Sequence, residues 1–202
     1  MKIIEIFKSL QGEGPDQGVV SVFVRLSGCN LNCLWCDTPD SRYGGTDMSA
    51  DEVFDKISRL GCRHVCITGG EPLLWIAELS PLLKRLYESG FKTEIETNGT
   101  IDPEVCMEYA SICMDIKCPS SGEKSNPALP EKLRPDDCVK FVVGDMADCM
   151  YAQDIIENKK ISARIFISPV WGSDYNKIAE YIINSGLPVR FQMQLHKIIG
   201  VK

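Results

Sequence analysis

The chain has 202 residues, of which 44% are hydrophobic and 25% charged, and carries a formal charge of −6; these values are ordinary for a soluble globular protein with one sizeable core. The acidic balance argues against a nucleic-acid-binding face. No run of about 18 apolar residues is present to span a membrane, so no membrane partner is expected. Residues 1–202 are expected to form a single domain. Ten cysteines could suggest a disulfide scaffold, but the chain is too long and too well supplied with apolar residues to need one, and Met1-Lys2-Ile3-Ile4-Glu5 does not read as a signal peptide. The thiols are therefore expected to be reduced, in the cytoplasm.

The first apolar, β-branched run, residues 19–26, predicts a strand. It leads into Gly28-Cys29-Asn30-Leu31-Asn32-Cys33-Leu34-Trp35-Cys36-Asp37-Thr38. Ser49 and Glu52 form a capping box ahead of a stripe of Val53, Ile57 and Leu60 that stops at Gly61, which predicts a helix. A strand over 63–68 hands over to Gly69-Gly70-Glu71-Pro72. The next helix either begins at Ser80-Pro81 or is kinked there after starting near Leu73; it carries Leu82, Leu83 and Leu86 and ends before Gly90. A strand over 91–97 precedes Asn98-Gly99, and a short helix is predicted over 103–110. Strands follow over 111–117, 138–143, 163–168 and 189–195. Helices are predicted over 147–158 and 174–184, and residues 118–137 form a Ser- and Pro-rich loop.

Alternating strands and helices predict an α/β fold with a mostly parallel sheet. A complete eight-fold barrel typically needs about 250 residues. The expectation is therefore a partial, TIM-like barrel of about six to seven mostly parallel strands. All seven predicted strands end on a polar or Gly/Pro cluster, and that edge is where α/β sheets bind ligands. One shared site is the economical reading.

Cys29, Cys33 and Cys36 supply three thiolates from one loop. A structural zinc takes four protein ligands, whereas three thiolates on a [4Fe–4S] cube leave one iron free for a substrate or cofactor. A zinc knuckle is the competing reading of the same spacing. Gly69-Gly70-Glu71-Pro72 reads either as a turn or as a place where backbone approaches a ligand beside a carboxylate able to hold an ammonium. Arg25 is either a cation on the solvent face of an edge strand or a planar fork for a carboxylate. Gln11-Gly12-Glu13-Gly14 is equally readable as a surface turn. His64 starts a strand and reads as structural; His196 falls at the ligand edge. Most of the other seven cysteines sit at apolar periodic positions and read as core filling, with Cys118 opening a polar loop.

The C-x3-C-x2-C loop with Trp35 before its last cysteine, followed one strand later by Gly69-Gly70-Glu71-Pro72, resembles the radical S-adenosylmethionine enzymes. Phe7-Lys8-Ser9-Leu10-Gln11-Gly12-Glu13-Gly14, Val24-Arg25-Leu26-Ser27-Gly28-Cys29 and Cys36-Asp37-Thr38 narrow the resemblance to the 7-carboxy-7-deazaguanine synthases. It continues through Glu96-Thr97-Asn98-Gly99-Thr100, Asp115-Ile116-Lys117, Lys140-Phe141-Val142-Val143, Ser168-Pro169 and Gln194-Leu195-His196-Lys197. The resemblance implies a lyase of queuosine and deazapurine biosynthesis. Reductive cleavage of S-adenosylmethionine on the [4Fe–4S] cluster gives a 5′-deoxyadenosyl radical. That radical takes hydrogen from 6-carboxy-5,6,7,8-tetrahydropterin, which contracts its ring and loses ammonia.

The resemblance also implies the residue roles. Cys29, Cys33 and Cys36 hold the cluster, and Thr38 takes part in binding Mg2+. Trp35, Cys36, Asp37, Gly70, Glu71, Asp115, Lys117 and Ser168 meet S-adenosylmethionine. Many relatives carry Ser-Pro-Lys where this chain has Asp115-Ile116-Lys117, so Lys117 is the firmest of that group. Leu10, Gln11, Gly12, Arg25, Thr68, Glu96, His196 and Lys202 meet the pterin, with Arg25 also counted as catalytic. The implied partners are the small pterin, an electron donor such as flavodoxin or ferredoxin, and a second copy in a homodimer. A glycyl-radical-enzyme activase is the nearest rival, and it would need neither residues 10–14 nor Arg25 nor Thr38. A metal-binding module without turnover is the rival outside enzymology.

Overall fold

Period-2 patterning builds a nine-stranded sheet in the computed structural model, which describes residues 1–202. The strands are β1 (Lys2–Leu10), β2 (Val20–Leu26), β3 (Thr46–Asp47), β4 (His64–Gly69), β5 (Lys92–Thr97), β6 (Ser111–Lys117), β7 (Cys138–Val143), β8 (Arg164–Pro169) and β9 (Arg190–Phe191). Their order is β3-β1-β2-β4-β5-β6-β7-β8-β9. From β2 to β9 every pairing is parallel, while β1 runs antiparallel to both β2 and β3. The result is the expected partial barrel, open between β3 and β9 and extended by the two antiparallel strands.

Successive residues of a strand face opposite sides, and the two faces differ sharply in chemistry. On one side Val22, Val24, Leu26, Val65, Ile67, Ile95, Ile112, Met114, Ile116, Val139, Phe141 and Val143 join the main apolar core. On the other side lie Arg25, Thr68, Glu96, Asp115, Lys117 and Lys140, with Cys66, Glu94, Cys113 and Cys138 one step nearer the strand starts. An apolar outer face packed by helices thus leaves a polar interior.

The helices are α1 (Ala50–Arg59), α2 (Ile76–Glu88), α3 (Met146–Asn158), α4 (Tyr175–Ser185) and α5 (Leu195–Ile199). α1 starts as its sequence demands: the Ser49 hydroxyl accepts from the Glu52 amide at 3.2 Å and Glu52 Oε2 accepts from the Ser49 amide at 2.8 Å. Such a cap contributes about 1 kcal/mol, and α1 then buries Val53 and Ile57 completely. α2 begins well before Ser80; a 3-10 turn at Pro72–Trp75 runs into it, and Pro81 lies inside the helix. No helix is long and apolar enough to cross a membrane.

Three elements depart from expectation. β1 pairs along its whole length with β2, although its mixed sequence KIIEIFKSL gave no strand signal. The predicted strand over 189–195 pairs only at Arg190–Phe191, because the chain then turns across the barrel interior: the Gln192 side chain exchanges hydrogen bonds with the Gly14 backbone at 2.7 and 2.9 Å, and the Leu195 amide donates to the Gly12 carbonyl at 3.0 Å. The predicted helix over 103–110 is a single 3-10 turn at Glu104–Cys106. Residues 118–137 contain two such turns.

The cysteines divide by exposure. Cys29, Cys33, Cys36 and Cys62 are half-buried, whereas Cys66, Cys106, Cys113, Cys118, Cys138 and Cys149 are buried. Cys118, at the start of the polar loop, is fully buried in the core and so behaves as the others do.

Candidate active site

The carboxyl ends of the strands surround a cavity of about 440 Å3. The loop after β2 brings Cys29, Cys33, Trp35, Cys36, Asp37 and Thr38 to one side of it, and the end of β4 with the loop that follows brings Gly69 and Gly70. Gly70 is where glycine is obligatory on steric grounds. A Cβ there would lie 2.0 Å from the Gly28 carbonyl oxygen and 2.9 Å from Cys29 Cβ. The two loops are stitched at that contact, since the Glu71 amide donates to the Gly28 oxygen at 2.7 Å and the Gly70 amide to the Leu26 oxygen at 3.1 Å.

Inward-facing side chains of the strands form the floor. Arg25 Nε donates to Glu5 Oε1 at 2.9 Å, and Lys202 Nζ reaches the other oxygen of the same carboxylate. Burial opposes the charge on Glu5, but the hydrogen bonds from Lys202 and Arg25 prevail and hold its carboxyl below the usual range. The Ser9 hydroxyl donates to the Lys202 carbonyl at 2.6 Å, which draws the last residue onto β1. Deeper in, Lys140 bonds Glu13 and lies 3.1 Å from Asp115, and Lys117 lies 2.9 Å from Asp115. Burial works against charge on Asp115, Lys117 and Lys140. Even so, Asp115 is held low by the two lysines, Lys117 is held high by Asp115, and Lys140 is held well above its usual range by Asp115 and Glu13. Glu96 accepts from the Thr68 hydroxyl at 3.0 Å; burial pushes its carboxyl up despite Lys140.

Of the residues expected at the site, Leu10, Gln11, Gly12, Arg25, Cys29, Cys33, Trp35, Cys36, Asp37, Thr38, Thr68, Gly70, Glu96, Asp115, Lys117, His196 and Lys202 all line this cavity. Two do not. Glu71 is completely buried and spends its carboxylate on the Asn98 amide at 2.7 Å, the Thr97 hydroxyl at 2.8 Å and the Leu73 amide at 3.0 Å. It fastens the loop after β4 to the end of β5, leaving the glycines beside it to face the cavity. Ser168 is also fully buried, and its hydroxyl donates to the Gln192 carbonyl at 2.9 Å. Both were expected to touch S-adenosylmethionine and are instead turned into the protein. Gly12 packs directly under His196: a Cβ there would sit 2.1 Å from His196 Nδ1, so the imidazole would have to move.

Glu13 and Lys140 also line the cavity and were not singled out from sequence. The readable signal was a lysine inside CVKFVV, a strand with all six residues buried. A buried ammonium demands carboxylate partners, and Glu13 and Asp115 are those partners.

The donor set fits a cube better than a single ion. Zinc held at about 2.3 Å by tetrahedral thiolates draws their sulfurs to roughly 3.8 Å apart. Cys29, Cys33 and Cys36 do not converge to within 4.8 Å of one another; Cys66, Glu94 and Glu96 are the group that does. Burial raises the Cys33 thiol, and the neighbouring Cys36 and Cys29 add to that while Lys117 opposes it. Three cysteines on one loop, once deprotonated, supply three thiolates suited to a cationic iron–sulfur core.

Comparison with known proteins agrees with this geometry. Residues 23–116 match the radical SAM superfamily. The 7-carboxy-7-deazaguanine synthase of Methanospirillum hungatei JF-1 is 51% identical over 201 residues, covering 100% of this chain and 86% of the relative. That of Koribacter versatilis is 38% identical over 220 residues, covering 98% and 96%. Among solved structures, QueE from Escherichia coli superposes with a TM-score of 0.79 at 28% identity, covering 96% of this chain and 94% of that one.

Proposed function

Because the chain belongs to the 7-carboxy-7-deazaguanine synthase family of radical SAM enzymes, we infer that it converts 6-carboxy-5,6,7,8-tetrahydropterin to 7-carboxy-7-deazaguanine with loss of ammonia. The observation that carries the reading is one cavity in which three thiols of a single loop face Arg25, Thr68 and Glu96. A glycyl-radical-enzyme activase would have no use for the latter set, and the full-length relatives are synthases.

When bound, the [4Fe–4S] cluster and S-adenosylmethionine supply the power to abstract a hydrogen atom from the pterin. The chain does the binding and positioning. Cys29, Cys33 and Cys36 hold the cluster. Trp35, Asp37, Asp115, Lys117 and the backbone at Gly70 surround the S-adenosylmethionine, with the Asp115–Lys117 pair presenting both charges to its zwitterionic end. Arg25, steered by Glu5, offers its fork to the pterin carboxylate, and Lys202 adds a second cation. Glu96 accepts from the amino and amide edge of the pterin, with Thr68 and the Gln11 amide beside it. Leu10, Gly12 and His196 complete that wall.

Thr38 and the substrate carboxylate offer hard oxygen donors to Mg2+, an ion that keeps most of its waters and needs few protein ligands. Reduction by a flavodoxin or ferredoxin, a cytoplasmic location and pairing as a homodimer complete the reading, on the strength of the family resemblance. The decisive experiment is anaerobic reconstitution followed by incubation with the pterin, S-adenosylmethionine and a reductant. The deazapurine acid should form with the wild type and not with Cys33→Ala. Failure of the loaded wild type to form it would remove the assignment.

A further inference from the structure

Next to the cavity, Cys66, Glu94 and Glu96 bring ligating atoms within 4.8 Å of one another, as a cation site would. The Gln11 amide nitrogen already occupies the middle of that group. It lies 2.6 Å from Glu94 Oε1, 3.3 Å from Glu96 Oε1 and 3.5 Å from Cys66 Sγ. Two N–H bonds cannot satisfy three acceptors. Neither glutamate has an ion-pair partner, because Lys140 and Lys117 are committed to Glu13 and Asp115. Two carboxylates on one strand, flanking a single amide and lacking any cation at ion-pair distance, disfavour carrying two charges at once.

We propose that Glu94 is a positioning residue of the pterin site: it carries a proton, so that Glu96 alone bears the negative charge and Gln11 is held between the two. This rests on the reading that Glu96 meets the amino edge of the pterin. Glu94 acts through Gln11 and Glu96, without touching the substrate itself: Gln11 and Glu96 line the main cavity and Glu94 does not. It lies instead on a separate small cavity of about 10 Å3 with Asp16, His64 and Lys92, space enough for about one water.

The charged surroundings favour the neutral form. Burial comes first, Glu96 and Asp16 add to it, and the Gln11 amide and Lys140 oppose it; together they push the Glu94 carboxyl up to about 8. From β4 the facing groups are His64 and Cys66, and from β5 Lys92 and Glu96. From β6 and β7 they are Cys113, Cys138 and Lys140, with Glu13 and Asp16 on the loop after β1. The Cys66 and Cys113 thiols are held well above their usual values, chiefly by burial at Cys66 and by the bond to Cys138 at Cys113, and Lys140 is held well above its own. These three therefore keep their protons while Glu94 titrates.

The substrate and the product both carry a carboxylate, so a second negative charge beside Glu96 should repel either one. The product, 7-carboxy-7-deazaguanine, is the probe. Its affinity for the reconstituted wild type, measured by calorimetry between pH 6 and about 9.5, should fall severalfold or more as pH rises through about 8. The fall should be absent in Glu94→Gln, the isostere of the protonated acid. Infrared titration of the ligand-free protein should show a protonated-carboxyl stretch lost near the same pH and missing from Glu94→Gln. That titration on the wild type alone decides the matter should the variant fail to fold. A Glu94→Gln profile that falls like the wild type, or no carboxyl band titrating near pH 8, overturns the proposal. Absence of product binding at every pH would instead overturn the reading of Glu96, and the infrared band would still report on Glu94.

Discussion

Gly70→Ala isolates the contact that joins the cysteine loop to the loop after β4. The added methyl would lie 2.0 Å from the Gly28 oxygen, 2.5 Å from the Gly28 carbonyl carbon and 2.9 Å from Cys29 Cβ. Reaching even 3.4 Å, the near edge of ordinary contact, requires 1.4 Å of movement. The obstacle is backbone, so rotating a side chain cannot relieve it. The Gly28 oxygen must also give up its 2.7 Å bond from the Glu71 amide, which moves Cys29 with it. Overpacking of this kind costs about 1–3 kcal/mol of stability, which leaves a folded protein. A displacement of about 1 Å at a reacting centre costs on the order of 100-fold in rate. Gly70→Ala should therefore melt cooperatively, with conversion of the pterin down by roughly two orders of magnitude. The assay is anaerobic turnover alongside iron and sulfide content. Wild-type turnover with a wild-type metal load would refute the reasoning, because it would mean that the two loops can part without consequence.

Other substitutions test other parts of the site. Arg25→Ala removes a charged hydrogen-bond donor worth about 1.5–3 kcal/mol, so kcat/KM for the pterin should drop roughly ten- to a hundredfold; an unchanged value would assign Arg25 to Glu5 alone. Lys140→Met leaves Asp115 with Lys117 but strands the buried Glu13 without a cation, which should cost about 3–5 kcal/mol in denaturant unfolding; an unaltered midpoint would contradict the buried network. The Glu94 carboxyl is raised from 4.5 to about 8, so its contribution to stability is complete below about pH 4.5 and is lost as pH climbs to 8. Over that window the wild type should lose up to about 1.4 kcal/mol per pH unit more than Glu94→Gln. Parallel stability curves for the two proteins would count against a neutral Glu94.

Much of this architecture could be read from residues alone, where local chemistry and tertiary packing agree. α1 was legible because Ser49 and Glu52 cap it and Val53 and Ile57 repeat on one face. The parallel strands were legible as short β-branched runs ending on glycine or polar clusters. β1 was not, because Glu5 and Lys8 interrupt its apolar pattern; they sit there to serve the cavity and the Leu60 carbonyl. The strand over 189–195 looked continuous, but its pairing ends where Gln192 and Leu195 leave for the loop at Gly12 and Gly14. At the site, motif residues ranked well but side-chain direction was invisible. Nothing in Gly69-Gly70-Glu71-Pro72 says that the carboxylate turns inward to Thr97 and Asn98 while the glycines face the cavity. Nor does local sequence announce that Lys140 and Glu13, 127 positions apart, are partners.

The partition of the sulfhydryls turns this molecule into its own gauge of loading. A maleimide or Ellman-type reagent applied to the folded apoprotein should meet four reactive positions, the motif triad and Cys62, and spare the six interior ones. Once iron and sulfide engage the triad, that titre should fall toward one, while full denaturation restores all ten. A simple colorimetric count before and after reconstitution thus measures occupancy without any turnover assay, and the interior six provide the internal standard.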